Sequence, residues 1–276
     1  MLRSSNPVLS RQDAFTPAAP QYGQNQFGQS PSGYPQYPGQ PQYAGQAPVQ
    51  APEGPMTFDD VVTKTAITMA VLILTAALAW FAIPDTLMLP ALILSGLVGF
   101  VVVLVVAFRR VINPTLVLVY AAIEGIFIGM ISKFFESMYD GIVAQAVLGT
   151  FAAAGVTLAA YKFFNIRVTP KFQKIVIIAT ISFAVAMLLN FGLSLAGINL
   201  GLRDGGTGPV SLLAVGVALL GAVLAVLNLV LDFDYIEKGI AMGAPAKESW
   251  RGAFGLTVTM VWLYIEILRL LSYLRR

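Results

Sequence analysis

Asp232, Asp234 and Glu266 are carboxylates set in or beside the last two of seven long apolar stretches in this 276-residue chain. A charged side chain at the centre of a bilayer costs at least about 2.5–3.5 kcal/mol, so acids kept there mark the part of the molecule where chemistry is expected. Two kinds are open to them. They can offer oxygen to a passing hard cation, or they can hold and give up a proton. A cation such as calcium takes six to eight oxygen ligands, so two or three acids would form only a weak, transient site. Two like charges in close contact cannot both ionise cheaply. Glu266, paired with one of the two aspartates on the neighbouring helix, would therefore share a proton and could switch helix packing with pH. Asp232 and Asp234 are two residues apart and point in roughly opposite directions on a helix. One should face the interior, and the other, like Glu237, should be solvated at the helix end.

Three further charges belong to this set. Glu124 lies about ten residues past Pro114, hence about 15 Å into the membrane by helical rise, and is expected to face a cavity or a polar partner. Arg109 and Arg110 end the second apolar stretch and are candidate basic partners for Asp232; alternatively, they only mark membrane orientation. Gly125 and Gly129 read as a small-residue pair for helix packing, and Asn190 and Asn228 as hydrogen bonds between helices.

The elements that must position these groups follow from composition. Hydrophobic residues make up 57% of the chain and charged residues 11%, with a mean hydropathy of +0.75, which fits a polytopic membrane protein. The chain has no cysteine and no histidine. That removes disulfides, thiol catalysis, His-ligated zinc and Ser-His-Asp hydrolysis, and leaves carboxylates to carry any proton chemistry. Apolar stretches between breakers predict spans near 60–83, 88–108, 115–135, 142–164, 174–197, 210–232 and 251–273. Lys and Arg favour one set of loops (Arg109, Arg110, Lys162, Arg167, Lys171, Lys174, Lys238, Lys247, Arg251) over the other, where Lys133 and Arg203 stand. The bias places the N-terminus in the cytoplasm of a multi-pass cell-membrane protein; Arg275 and Arg276 run against it. Residues 1–55 are a different material, rich in Gln, Gly, Pro and Tyr. They are expected to form a disordered cytoplasmic tail open to protein partners, ahead of a transmembrane domain over 56–276. The excess positive charge sits in loops and gives no reason to expect nucleic acid.

Several ordered stretches carry a resemblance. Leu263-Tyr264-Ile265-Glu266-Ile267-Leu268 is similar to the Leu-Tyr-Leu-Asp motif in the last helix of the Bax inhibitor-1 family of transmembrane proteins. Asp232 to Ile236 resembles that family's stretch at the end of helix six. Leu87-Met88-Leu89-Pro90, Arg109-Arg110 and Tyr120-x-x-x-Glu124-Gly125-x-x-x-Gly129 fit in order, over about residues 58–276, as in a bacterial member. The resemblance implies an all-α membrane protein of seven transmembrane helices, the last one central within a bundle of six. It implies a pH-sensitive calcium leak gated by a protonated acid pair, which by position is Asp232 and Glu266, with Arg109 or Arg110 as basic partner. Position 266 is Glu where the family usually has Asp, and the connection from helix six to helix seven is longer.

Geometry bears on that pair. If helix seven starts at Arg251, Glu266 is about 22 Å along it, while Asp232 is near the cytoplasmic face. They meet only if helix six continues past Asp232 or helix seven starts deeper than Gly255; Gly243 to Pro245 permits a turn after an extended helix six. The expected function is a calcium-permeable channel gated by protonation, with no cofactor and no enzymatic activity. The alternative is a non-conducting regulator or assembly partner whose acids are structural. An intramembrane aspartyl protease lacks its Gly-x-Gly-Asp signature here, and a retinal protein lacks its helix-seven Lys.

Overall fold

The computed structural model describes residues 54–164, 166–198, 200–203 and 210–276. The expected tail over 1–55 lies outside these, apart from Gly54 and Pro55. The described residues form seven long α-helices: α1 (Phe58–Ala82), α2 (Asp85–Phe108), α3 (Pro114–Met138), α4 (Ile142–Phe163), α5 (Pro170–Leu195), α6 (Leu212–Ala241) and α7 (Ser249–Leu274). Each is long and apolar enough to cross a membrane.

Local chemistry sets the ends. Thr57, Asn113, Thr169 and Ser211 cap α1, α3, α5 and α6 by accepting a backbone N–H of the first turn, which supplies partners to amides that have none inside the helix. Pro114 and Pro170 sit in first turns, where a missing N–H is harmless. Glu136 accepts the amides of Gly141 (2.6 Å) and Val143 (3.0 Å) and so ties the end of α3 to the start of α4. Several expected boundaries move, among them the end of the third span, to Met138, and the start of the fifth, to Pro170. The second span begins at Asp85 rather than 88, so that Pro90 lies inside α2. The sixth runs on to Ala241 rather than ending at 232, because no breaker occurs until Gly243, whose φ of 65° turns the chain.

The last helix is the centre. α7 buries residues on all sides, from Ser249 to Tyr273. It packs on α1, α3, α4 and α6, meets α2 through Val106, Phe254 and Val258, and meets α5 through the Phe183–Trp262 ring contact at 5.7 Å. α5 is peripheral, with Val176 its one buried side chain among the described residues. The outward faces of α1, α2 and α5 carry exposed Leu, Val, Ile and Phe side chains, as lipid contact demands. Buried hydroxyls bond back to their own helix: Thr68 to Lys64 O, Ser95 to Ala91 O, Thr150 to Ala146 O and Thr257 to Ala253 O.

Gly125 and Gly129 serve as the packing pair expected of them. A Cβ at Gly125 would fall on Thr75 Oγ1 and 2.4 Å from Leu72 O, and one at Gly129 would lie 2.5 Å from Ala76 O. Backbone against backbone, α1 and α3 have no room for a methyl. Gly125→Val is therefore expected to force α1 from α3 and lower stability by about 1–3 kcal/mol, read as a fall in the thermal midpoint in detergent. An unchanged midpoint would rule out the close approach.

Candidate functional site

α6 and α7 run antiparallel, and each offers the other one acid and one glycine. On α6 these are Asp232 and Gly221; on α7 they are Glu266 and Gly255. In both helices the two positions are eleven residues apart, about three helical turns, and so lie on one face. The pairs cross over. A Cβ at Gly221 would sit 2.8 Å from Glu266 Cδ, and one at Gly255 would sit 3.1 Å from Asp232 Oδ1. Each carboxylate thus occupies the space that the opposite helix leaves by having no side chain.

Glu266 is 1% exposed. Its carboxylate accepts a fork from Arg203, with Nη2 to Oε1 at 2.9 Å and Nη1 to Oε2 at 3.2 Å. Arg269 Nη1 adds 2.8 Å to Oε2, and Trp262 Nε1 reaches Oε1 at 3.3 Å. One negative charge therefore meets two guanidiniums, and two-point binding of this kind is among the strongest hydrogen-bonded arrangements. Arg203 comes from the connection after α5, and its guanidinium also stands 5.8 Å from the Phe183 ring centre. Asp232 has a milder environment: Thr259 Oγ1 donates to Oδ2 at 2.7 Å.

The structure does not bring Asp232 and Glu266 together. Asp232 is held at the level of Gly255 and Thr259, and Glu266 lies seven to eleven residues further along α7, about 10–16 Å by helical rise. Helix six does continue past Asp232, but helix seven starts at Ser249, so the two acids stay at different depths. One of Asp232 and Asp234 was expected to be solvated, but neither is exposed, and Asp234 is the more buried in the fold. It is 9% exposed, and Lys238 Nζ donates to its Oδ2 at 2.6 Å within the same helix. Among the described residues no ion pair joins Arg109 or Arg110 to Asp232. Their backbone carbonyls instead accept Arg251, at 3.3 Å and 3.0 Å, which fastens the end of α2 to the start of α7. Glu124 is at mid-helix in α3 with its Oε2 against Gly99 of α2, 2.9 Å from where a Cβ would stand. Among the described residues it accepts no hydrogen bond, and none of the acids gathers into a group of three able to hold a metal.

Other expected charges find places. Lys133 bridges to Asp85 at 2.7 Å and to Ile83 O at 2.9 Å, pinning α3 to the turn between α1 and α2. Arg275, which runs against the loop charge bias, donates to Asp140 O and to Gln145 Oε1. Asn228 donates to Thr180 Oγ1 at 2.7 Å, between α6 and α5. Sequence reasoning put Arg203 in a loop and passed over Arg269, Trp262, Gly221 and Gly255. Trp262 and Arg269 were legible, being four residues before and three residues after Glu266 on one helix. Arg203 was not, since it reaches Glu266 across a connection.

Removing Glu266 strands two cations in the bundle. Glu266→Ala is expected to cost about 3–5 kcal/mol, and clearly less in an Arg203→Ala background. Equal losses of unfolding free energy in the two backgrounds would mean that the pair is not coupled.

The family model described as Bax inhibitor 1 like matches residues 6–276, nearly the whole chain. No curated protein matches it.

Proposed function

Because the chain belongs to the Bax inhibitor 1 like family, we propose that it is a pH-sensitive, calcium-permeable leak channel of a cell membrane, gated by protonation of its buried carboxylates. The observation that carries this reading is Glu266, with its charge enclosed at the centre of the bundle and held by two arginines. With Glu266 ionised, Arg203 is tied across α6 and α7 and the path beside them is shut. A proton on Glu266 removes the negative charge from between two positive ones. Arg203, on a connection next to the least buried helix, is then the group free to leave, while Arg269 stays with its own helix. Asp232, two to three turns away toward the other end, is the second oxygen ligand of the path. Calcium thus meets its acids one after another, and weak sites in series suit conduction.

This gating differs from a proton shared in direct contact. Here Glu266 carries the switch, Asp232 lines the route, and Arg203 rather than Arg109 or Arg110 is the basic partner. The N-terminus is taken as cytoplasmic, in keeping with Arg109, Arg110, Lys162, Arg167 and Lys238 at one end of the bundle. A second reading has an observation of its own. Both acids have hydrogen-bond partners inside the bundle, which also suits a non-conducting regulator or assembly partner with structural acids.

Calcium flux from proteoliposomes over a pH series separates the two. A leak channel gated this way passes more calcium as pH falls. Glu266→Gln, which mimics the protonated side chain, is expected to give a high flux that no longer responds to pH, and Arg203→Gln likewise to raise flux at neutral pH. Asp232→Asn is expected to lower flux at every pH. No flux at any pH from folded protein supports the regulator, and an unaltered pH response in Glu266→Gln removes Glu266 as the switch.

A further inference from the structure

α1 and α4 both pack on α7 but make no substantial contact with each other. Between them lies a cleft floored by α7 and α6. The half nearest the start of α1 has a volume of about 950 Å³ and is walled by Val62, Ala66, Leu158, Phe233 and Leu256. A second hollow of about 310 Å³ continues it toward the other end of the bundle, with Met69, Phe151 and Met260 in the walls of both. The lips of the larger hollow, Phe58, Val62 and Leu158, are exposed sideways, where a bilayer would lie. From Phe58 to Met69 is eleven residues, about 16 Å by helical rise, which is roughly half of a hydrocarbon core of about 30 Å. The hollow is therefore one leaflet deep.

Its charged groups are confined to its mouth. Lys162, in the last turn of α4, and Arg167, in the connection to α5, stand at the mouth. Among the described residues neither meets a carboxylate at ion-pair distance. The one acid there, Glu237, accepts the hydroxyl of Tyr161. About 10 Å deeper, by helical rise, is Thr65, whose hydroxyl is buried and has no hydrogen-bond partner among the described residues. The neighbouring buried threonine of the same helix, Thr68, bonds back to a carbonyl. The cleft thus presents two cations at headgroup level and an apolar slot below them.

We propose that this cleft binds one anionic phospholipid, its phosphate between Lys162 and Arg167 and an acyl chain along the floor formed by α7. The net charge at the mouth favours an anionic headgroup over a zwitterionic one. The site lies on the α1–α4 side of α7 and involves neither Glu266 nor Asp232, so it stands apart from the proposed gating.

Native mass spectrometry of the full chain in detergent, with phosphatidylglycerol and phosphatidylcholine supplied in equal amounts, tests it. The expected result is retention of one phosphatidylglycerol with a preference of at least about tenfold, given two basic residues at the headgroup level. Lys162→Gln combined with Arg167→Gln, both surface changes, should bring the two lipids to parity. Ala66→Trp, which fills the slot, should remove both. Phosphatidylglycerol should also raise the thermal midpoint of the unaltered chain and not that of the double variant. Equal retention of the two lipids by the unaltered chain, or a preference that survives the double substitution, overturns the proposal. So does retention of neither lipid, which is the result expected if residues 1–53 or a second copy of the chain fill the cleft.

Discussion

Carboxylates can be kept between apolar helices only where there is space for them and something to bond. Here the space comes from glycine. Gly221 faces Glu266 and Gly255 faces Asp232 across one antiparallel helix pair, and the equal spacing on each helix lets both fits form at once. The same device recurs where Glu124 lies against Gly99. A side chain at any of these glycines would push an acid out of place or push two helices apart. The depth of each acid, and hence the separation between Asp232 and Glu266, follows from where the glycines are.

The remaining architecture keeps that helix pair in register. The α1–α3 packing over Gly125 and Gly129 gives one rigid wall, and α4 closes another side of α7. At one end, Arg251 ties α7 to the end of α2, and the amide of Met56 donates to Ala244 O at 2.7 Å, fixing the turn between α6 and α7. At the other end, Arg275 holds α7 to the turn between α3 and α4. A slip of α7 by one residue would break these end contacts together with both acid–glycine fits. α5 belongs less firmly to this frame, yet the connection that follows it delivers Arg203.

Seven helices and their order were legible because apolar length and Gly/Pro punctuation are local signals, whereas the central place of the last one was implied by the resemblance alone. Glu266 and Asp232 were conspicuous too, since an acid among Leu and Val stands out in a string of residues. The distance between them was not legible. It depends on how far α6 runs beyond Asp232 and on the slide of one helix along another. Glycines at 221 and 255 record that slide, but only when read together with the acids eleven residues away. Arg203 illustrates a different limit. Nothing near it in the chain separates a loop cation that meets water from one that turns inward, because its partner is 63 positions away. Asp232 and Asp234 could not be told apart for a simpler reason: burial reflects neighbours from other helices, while the cation that meets Asp234, Lys238, is one turn along.

Glu266 and Arg269 also bear on how the chain is made. They lie in the least apolar of the seven helices, and charged residues at a helix centre oppose insertion into lipid. That helix is synthesised after the six that surround it and after Arg203. A nascent α7 offered to bare lipid would carry its charges in unmatched; offered to the six earlier helices, it finds a guanidinium and a glycine already waiting for the carboxylate. Translation order thus suits an assembly in which the most polar of the seven helices enters a socket that its predecessors supply.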